Sequence, residues 1–235
     1  YLNKSKNNNK KLQERLVEVK PTEVGNKIKS IINLKKIPHS KINTVNYPKE
    51  LYEFMGYFIG DGSFARNKSH QKYDKDYYLN LASGLDTSEI IEKLIKPLQK
   101  LGLIKNYWIR KNGDIIINGL KIINIIAKEL RDKYGKKIIP TWLREEKEEN
   151  ISAFLRGLFS ADGTVIIRNN HPITRFSNID ENIIKETRKL LYFLGISNSH
   201  FKENKPNKYK DKISNTYSKH IIIKDELAFK QKVGF

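Results

Sequence analysis

The chain has 235 residues, of which 45 are Lys or Arg and 26 are Asp or Glu, so its formal net charge is +19. A hydrophobic content of 38% is sufficient for a packed core. The surplus of positive charge favours a polyanionic partner, with nucleic acid first among the candidates, although abundant Lys, Asn and Ile are also what an AT-rich coding sequence gives. The absence of cysteine excludes disulfides, thiolate zinc sites and cysteine nucleophiles.

The sequence lacks the marks of zinc, membrane and secreted proteins. Its five histidines show no metal-ligand spacing, and no apolar run approaches the length that spans a bilayer. The first residues are polar and basic, without the apolar core of a signal peptide. We therefore expect a soluble protein with no membrane partner that is cytoplasmic, nucleoid-associated or organellar rather than secreted. A start at Tyr1 instead of Met indicates processing or excision from a longer frame.

Hydrophobic periodicity divides the chain into predicted elements. Residues 1–47 are predicted to be a partly disordered N-terminal extension, because they begin with a polar, basic tail. Helical periodicity then occurs at 50–60, 88–101, 120–133, 151–161 and 181–194. Runs rich in β-forming residues lie at 77–83, 106–111, 114–118, 164–168, 174–178 and 219–224.

These elements occur in two similar sets. The segment LYEFMGYFIGDGSF at 51–64 recurs in pattern as ISAFLRGLFSADGTV at 151–165, and the helical sequence at 88–103 resembles that at 181–196. Both sets run as helix, two strands, helix, two strands and helical sequence. We therefore predict a duplicated α+β unit, with a first half at 48–133, a linker at 134–150 and a second half at 151–235.

Small residues recur at one offset in the two repeated helices. Gly56 and Gly60 are four residues apart, as are Gly157 and Ala161, so each pair lies on one helical face. Glycine inside a helix costs about 1 kcal/mol relative to alanine, and close approach of two backbones commonly compensates for it. We therefore predict that the two helices pack together through Gly56 and Gly157.

Each repeated helix ends in Asp-Gly, at Asp61 and at Asp162. If the helices are adjacent, parallel and related by a pseudo-twofold axis, their C-terminal ends bring both carboxylates together. Magnesium binds one or two carboxylates together with waters and substrate phosphate oxygens, and such sites hydrolyse phosphodiesters. The alternative for a single copy is an ordinary turn after a helix. Two copies with the same small-residue offset favour the paired metal site.

These residues resemble a known family. FMGYFIGDG at 54–62 and LRGLFSADG at 155–163 are similar to the two signature copies of the single-chain LAGLIDADG homing endonucleases, although Tyr57, Phe58 and Arg156 depart from the name-giving pattern. The resemblance implies an α+β fold in which two pseudo-symmetric αββαββα units form a saddle over DNA, with the motif helices at the central interface. It also implies a monomer that cleaves double-stranded DNA across the minor groove, leaving short 3′ overhangs. Mg²⁺ would be the cofactor, Mn²⁺ would replace it, and Ca²⁺ would bind without cleavage.

Carried over by position, the resemblance assigns roles to single residues. Asp61 and Asp162 would bind the metal, with the backbone carbonyls of Gly60 and Ala161 close by. Lys137, in KKIIP at 136–140, matches a lysine that reaches the active centre and would stabilise charge on the phosphate, the alternative being one more solvated lysine. Its counterpart in the second half would fall near Lys230 or Lys232. Two polar residues at strand ends, Ser83 and Asn178, would position attacking water.

The strands that follow the motif helices carry alternating polar, basic and aromatic residues, as expected of a sheet with one face covered and one free to meet DNA. Arginine and asparagine can read base edges, whereas lysine mostly meets phosphate. The predicted DNA-binding residues are Arg66, Lys68, Lys72, Tyr77, Asn80, Arg110, Lys111, Arg168, Arg175, Lys202, Tyr217 and Lys219.

Three other functions remain open at this point. The first is an RNA maturase that assists intron splicing on the same scaffold, with idle acids. The second is the nuclease domain of an intein, which could not splice itself without an N-terminal Cys or Ser and a terminal His-Asn. The third is a DNA-binding protein without catalysis. The two intact aspartates favour an endonuclease with a long asymmetric target.

Overall fold

The computed structural model describes residues 47–65, 78–83, 86–199 and 217–234, together with the backbone of three short strands between 202 and 213. The predicted N-terminal extension lies outside these residues except for Tyr47. Within the described ranges, no helix is both long enough and apolar enough to cross a membrane.

The first half begins with the helix that carries the first motif. Helix α1 (Lys49–Asp61) starts directly after Pro48, and strand β1 (Gly62–Ala65) follows it without a loop. The remaining elements are β2 (Tyr78–Leu81), α2 (Thr87–Ile90), a π-helical turn (Ile91–Ile95), α3 (Lys96–Lys100), β3 (Asn106–Ile109), β4 (Ile115–Asn118) and α4 (Leu120–Leu130). The predicted helix at 88–101 thus contains a π turn, which precedes Pro97, a residue with no N–H for the helical ladder.

The second half repeats this order. Its elements are α5 (Glu148–Asp162), β5 (Gly163–Arg168), β6 (His171–Asn178), α6 (Glu181–Phe193), the short strands β7 (Lys202–Glu203), β8 (Lys208–Tyr209) and β9 (Lys212–Ile213), then β10 (Lys219–Ile222) and α7 (Glu226–Lys232). The predicted α+β fold of two αββαββα units is confirmed, with the pair β8 and β9 inserted in the second.

Each half has one antiparallel sheet, with strand order β1-β2-β4-β3 in the first and β5-β6-β10-β7 in the second. Side chains alternate between the two faces of these strands. One face points to the core and carries Leu79, Leu81, Phe176 and Ile221, all fully buried. The opposite face, here called the outer face, carries Asn80 and Trp108 in the first sheet and Thr164 and Arg175 in the second.

The helices α1 and α5 pack against each other along the centre of the molecule. A Cβ atom built on Gly56 would lie 1.9 Å from the carbonyl oxygen of Phe154, and one built on Gly157 would lie 1.9 Å from that of Glu53. These contacts run in the same direction along both helices, so the helices are parallel. The predicted approach through Gly56 and Gly157 is thus present, and no side chain fits at either position.

The segment predicted as a linker, 134–150, is packed rather than loose. Ile139 and Leu143 are buried in the core, and a 3₁₀ helix (Thr141–Glu145) precedes α5. The indole N–H of Trp142 donates to the buried carboxylate of Glu129 at 2.9 Å, and the Tyr47 hydroxyl donates to the same carboxylate at 3.0 Å. The connection between the halves therefore contributes to the core, which fixes the position of the residues around 137.

Substituting alanine for Gly56 or Gly157 should lower the free energy of unfolding by about 3 kcal/mol or more, because even a methyl group meets backbone atoms that cannot move independently. The control is Ser160→Ala, an exposed position on the same helix α5. Thermal and denaturant unfolding measure the change. If both glycine variants are as stable as Ser160→Ala, the helices do not meet there in solution.

Candidate active site at the crossing of two helices

The two aspartates lie at the same end of the helix pair. Asp61 is the last residue of α1 and Asp162 the last residue of α5. A Cβ atom on Gly60 would lie 2.4 Å from the Cβ of Ala161 and 3.3 Å from Oδ2 of Asp162. The parallel arrangement predicted from the two Asp-Gly motifs therefore brings both carboxylates to one partly buried centre.

Asp61 titrates abnormally in this centre. Burial raises the pKa of its carboxyl from 3.8 to about 6, and the charge of Asp162 adds to the rise. The nearby Lys137 ammonium and the Tyr57 hydroxyl lower this pKa, but not enough to cancel the rise. A buried carboxyl whose pKa is raised by burial and by a second carboxylate, with one cation beside both, indicates a site whose negative charge is incompletely neutralised.

Asp162 has a different set of partners. Its Oδ2 accepts a hydrogen bond of 2.8 Å from the side-chain amide of Asn178. Burial raises the pKa of Asp162, while this hydrogen bond and Lys137 lower it. Asn178, predicted to position water, thus orients an acid of the site. A role of Asn178 in positioning the attacking water stays a prediction.

Ser83, the residue predicted for the equivalent role in the first half, is turned away from the acids. Its hydroxyl donates to the carbonyl oxygen of Gly113 at 2.5 Å and lies 3.0 Å from the hydroxyl of Thr87. The prediction for Ser83 is therefore wrong in its placement. A serine is too short to reach where asparagine reaches, so it stabilises the start of α2 instead. The residue beside Asp61 is Tyr57, whose hydroxyl is a hydrogen-bond partner of the Asp61 carboxyl. The motif pattern predicted no role for Tyr57.

Lys137 reaches the centre from the segment between the halves. Its ammonium donates to the carbonyl oxygens of Gly62 at 2.9 Å, Gly60 at 3.0 Å and Phe58 at 3.4 Å, at the junction of α1 and β1, where the Phe58 carbonyl also accepts from the backbone N–H of Gly62. Burial lowers the pKa of Lys137, whereas Asp162 and Asp61 raise it. The alternative of a solvated lysine is wrong, because the side chain is held by three carbonyl groups beside both acids.

The donor set fits a magnesium-type cation. No group of three or more His, Cys, Asp or Glu side chains occurs in the described part of the chain, so the site offers two carboxylates and backbone oxygens. That is what Mg²⁺ uses when waters and phosphate oxygens complete its shell. The Gly60 carbonyl already accepts from Lys137, so its predicted role as a metal neighbour requires sharing that oxygen, and the carbonyl of Ala161 remains a prediction.

The second half has no comparable lysine at the positions predicted for one. Lys232 donates to the carbonyl oxygen of Leu194 and lies 3.7 Å from Glu148, and Lys230 is exposed. The cation that acts on the Asp162 carboxyl is Lys137. One lysine therefore serves both acids among the described residues.

Most described residues of the predicted DNA-binding set lie on or beside the outer sheet faces. Asn80 lies opposite Ser63 on the outer face of the first sheet, and Arg175 lies opposite Thr164 on that of the second. Arg168 shares the face of Arg175. The exposed residues Arg110, Lys111 and Tyr217 lie next to strands β3 and β10.

Other members of the predicted DNA-binding set lie on the core-facing side of a sheet or outside the described residues. Lys219 lies on the core-facing side of β10, opposite Asn178, with its ammonium 3.6 Å from Glu181, so its predicted place on the outer face is wrong. Residues 66, 68, 72 and 77 are outside the described residues, as is the side chain of Lys202.

The outer faces carry polar atoms that are buried without a hydrogen-bond partner in the described part of the chain. They are Oδ1 of Asn80, Nε of Arg175 and Oγ of Ser177. Leaving such a group unsatisfied costs about 1–3 kcal/mol. Ser177 was not in the predicted set, and neither were Tyr78 and Trp108, whose rings lie 6.2 Å apart on the outer face of the first sheet. Extending the alternation along the strands of Asn80 and Arg175 would have found Tyr78 and Ser177, whereas the face of Trp108 follows from the register of β3 and β2 against β4.

Comparison with known proteins relates this arrangement to a family. Residues 149–233 match the family described as LAGLIDADG-like domain. Over 79% of this chain, the fold matches crystal structures of the homing endonuclease I-DmoI, including its complex with DNA and Mn, with a TM-score of 0.55, 16% sequence identity and 96% of that chain covered. That likeness extends the fold beyond the half that the family matches.

Relatives in sequence are segments of larger proteins. The whole chain is 42% identical to a segment of a DNA polymerase from Thermococcus sp. (strain GE8), and it spans 14% of that polymerase's length. It is also 29% identical, over 82% of its residues, to a segment making up 17% of the glutamine–fructose-6-phosphate aminotransferase of Methanocaldococcus jannaschii. One segment thus has relatives inside two proteins of unrelated activity.

Replacing Asp61 by asparagine should stabilise the metal-free protein at neutral pH. A carboxyl whose pKa is about 6 in the folded state and 3.8 in the reference state binds its proton more tightly when folded. Its contribution to stability is therefore lost as pH rises from about 4 to about 6. After allowance for solvent screening, Asp61→Asn should be more stable than the parent by about 1–2 kcal/mol at pH 7 and nearly equal at pH 4.

Denaturant unfolding at both pH values, in EDTA, measures this difference. The control is Glu50→Gln, an exposed carboxylate in the first turn of the same helix α1. If the difference in the free energy of unfolding between Asp61→Asn and the parent is the same at both pH values, the pKa of Asp61 is not raised by folding.

Proposed function

This chain belongs to the LAGLIDADG family, and we propose that it is an intein-encoded, site-specific endonuclease that hydrolyses both strands of a long asymmetric DNA target. The single observation that carries the proposal is the meeting of Asp61 and Asp162 at the parallel ends of two helices, with Lys137 between the acids and the first sheet. Mg²⁺ is the proposed cofactor, and the protein acts as a monomer because both motifs are in one chain.

A divalent cation at this centre would polarise the scissile phosphate and lower the pKa of a bound water. Asp61 and Asp162 would hold it, since both are acceptor-only when ionised and burial raises both pKa values by disfavouring the ionised form, which a bound cation would stabilise. The use of divalent metal is supported by the related fold of I-DmoI, which was crystallised with DNA in the presence of Mn and of Ca.

The other residues of the centre orient the acids and stabilise developing negative charge. Asn178 fixes the orientation of the Asp162 carboxylate. The Lys137 ammonium is held by carbonyl groups and lies beside both acids, where it can donate to a phosphate oxygen as negative charge develops on it. Lys137 has no described equivalent in the second half. The two strands of the DNA would therefore meet different surroundings at Asp61 and at Asp162.

The outer sheet faces form the proposed DNA contact. The unpartnered polar atoms of Asn80, Arg175 and Ser177 flank the acids, with Asn80 and Arg175 at matching positions in the two halves. An amide and a guanidinium at equivalent positions favour different bases, which fits an asymmetric target. The formal charge of +19 supports a large phosphate contribution to affinity that falls with salt.

The intein assignment is supported by the location of the relatives. A segment related to this chain occupies 14% of a DNA polymerase and another occupies 17% of an aminotransferase. An inserted element explains why hosts without a common activity share it. The target would then be the DNA formed by joining the two host-gene sequences that flank the element.

Asp61→Asn and Asp162→Asn should each abolish double-strand cleavage of that joined sequence in Mg²⁺ while leaving DNA binding in Ca²⁺ within about twofold of the parent. An amide keeps the shape of the side chain and loses the charge that binds metal, whereas affinity is spread over many phosphate contacts. Single-turnover cleavage and a binding titration measure the two effects. Undiminished cutting by either variant would sink the proposal, and binding of RNA with no cutting of DNA by the parent would favour a maturase.

Lys137→Met should slow single-turnover cleavage by about a hundredfold or more while changing DNA affinity little, because the ammonium acts on charge that develops in the transition state. It should also lower stability, since three carbonyl groups at the end of α1 lose their donor. The control is Lys136→Met at the neighbouring exposed position. If a folded Lys137→Met cuts at the parental rate when saturated with DNA, the lysine is only a helix cap.

A further inference from the structure

One row of side chains crosses the outer face of the first sheet from edge to edge. Its members lie directly opposite one another on the four strands, from Ser63 on β1 through Asn80 on β2 and Ile116 on β4 to Trp108 on β3. Neighbouring strands lie about 4.8 Å apart, so the row is about 14 Å long. That length is similar to the width of the DNA major groove, about 12 Å, which admits β-strands. One end of the row is polar and the other is apolar.

The apolar end contains a residue that is buried outside the core. Ile116 is fully buried, although it lies on the outer face and is not one of the residues that pack together in the hydrophobic core. Trp108 lies directly opposite Ile116, and the rings of Trp108 and Tyr78 have centroids 6.2 Å apart, inclined by 58°. Tyr78 is two residues before Asn80 on β2 and shares its face. Tyr78, Trp108 and Ile116 therefore form an apolar cluster on the outer face.

The apolar cluster is held in place and open to the outside. The guanidinium carbon of Arg110 lies 5.9 Å from the centroid of the Tyr78 ring, and the same guanidinium donates to the Tyr78 hydroxyl at 3.4 Å. Trp108 is nevertheless 46% exposed. In the same row, Oδ1 of Asn80 is buried without a hydrogen-bond partner among the described residues. The outer face thus offers an apolar surface and a free amide oxygen side by side.

This combination matches one of the two kinds of base pair. A sheet in the major groove meets the edges of paired bases, because their flat faces are stacked inside the duplex. The apolar group on those edges is the C5 methyl of thymine, and the amide of asparagine fits N6 and N7 of adenine. An apolar cluster beside Asn80 therefore favours A·T pairs over G·C pairs.

We propose that Trp108, supported by Tyr78 and Ile116, packs on a thymine methyl group in the major groove of the half-site that the first sheet contacts, and that Asn80 binds a nearby adenine. The inference rests on the proposed endonuclease function and adds a base preference to it. The second sheet has Arg175 at the position of Asn80, and arginine fits guanine, so this preference applies to one half-site. Trp108 then determines specificity and takes no part in hydrolysis.

The test combines Trp108→Ala with removal of single thymine methyl groups. Binding is measured in Ca²⁺ with the duplex made by joining the two flanking host sequences, in which one thymine at a time is replaced by uracil, a base that pairs identically and lacks the methyl. One uracil, in one half-site, should weaken binding by the parent about threefold to fivefold, as expected for one buried methyl group. Trp108→Ala should weaken binding to the all-thymine duplex by at least as much, and that uracil should have no further effect on it.

Two further variants serve as controls. Ile109→Ala truncates the next residue of β3, which is 50% exposed and lies on the opposite face, so it should leave both the affinity and the uracil effect unchanged. Trp108→Phe keeps an aromatic ring and should retain part of the uracil effect. Melting temperatures report whether each variant folds. A random duplex of equal length should bind Trp108→Ala within about twofold of the parent, because phosphate contacts supply non-specific binding.

The inference is overturned if no single uracil weakens binding by the parent, or if the same uracil weakens binding by Trp108→Ala equally. A parent that does not prefer the joined-flank duplex to the random duplex would contradict both the base preference and the site specificity. Failure of the proposed nuclease activity is a separate outcome, because it appears as no cleavage in Mg²⁺ of a duplex that still shows the uracil effect on binding.

Discussion

The contact between α1 and α5 at Gly56 and Gly157 is the constraint on which the rest of the site depends. Backbones approach so closely there that an added Cβ would lie 1.9 Å from a carbonyl oxygen on either side. Parallel packing at that distance brings the two C-terminal ends together, and each helix passes directly into a strand. An ion pair of 2.9 Å between Arg156 and Glu53 joins the same helices, and Arg156 also donates to Val233 at the end of α7. The position of the two acids is therefore a consequence of the backbone packing between α1 and α5.

The symmetry of the backbone does not extend to the surroundings of the acids. Asp61 has Tyr57 and Lys137 as neighbours, whereas Asp162 has Asn178 and shares Lys137. The difference arises because Ser83, at the position equivalent to Asn178, bonds to the loop at Gly113. A duplicated fold thus supplies two carboxylates at one centre, while single substitutions give each carboxylate different neighbours.

Motif and periodicity predicted the features that depend on local sequence. The duplication, the helix bounds near the two motifs, the core alternation of the strands and the close approach at Gly56 and Gly157 all follow from spacing. Lys137 was found through a family resemblance, because only the folded chain brings residue 137 to the ends of residues 58, 60 and 62. The partner of Ser83 and the face of Lys219 were missed for a related reason. The partner of Ser83 depends on the path of the loop at Gly113, and the face of Lys219 depends on the register of β10 against β6, neither of which a repeating pattern determines.

We propose that Asp61 and Asp162 together hold the divalent cation used in phosphodiester hydrolysis. Anomalous scattering from crystals of the protein with its joined-flank DNA and Mn²⁺ tests it most directly. We expect manganese within about 2.0–2.6 Å of a carboxylate oxygen of each aspartate and of a DNA phosphate oxygen, the span of distances that hard cations keep to oxygen ligands. Manganese bound elsewhere in a complex that cuts its DNA on addition of Mg²⁺ would contradict it.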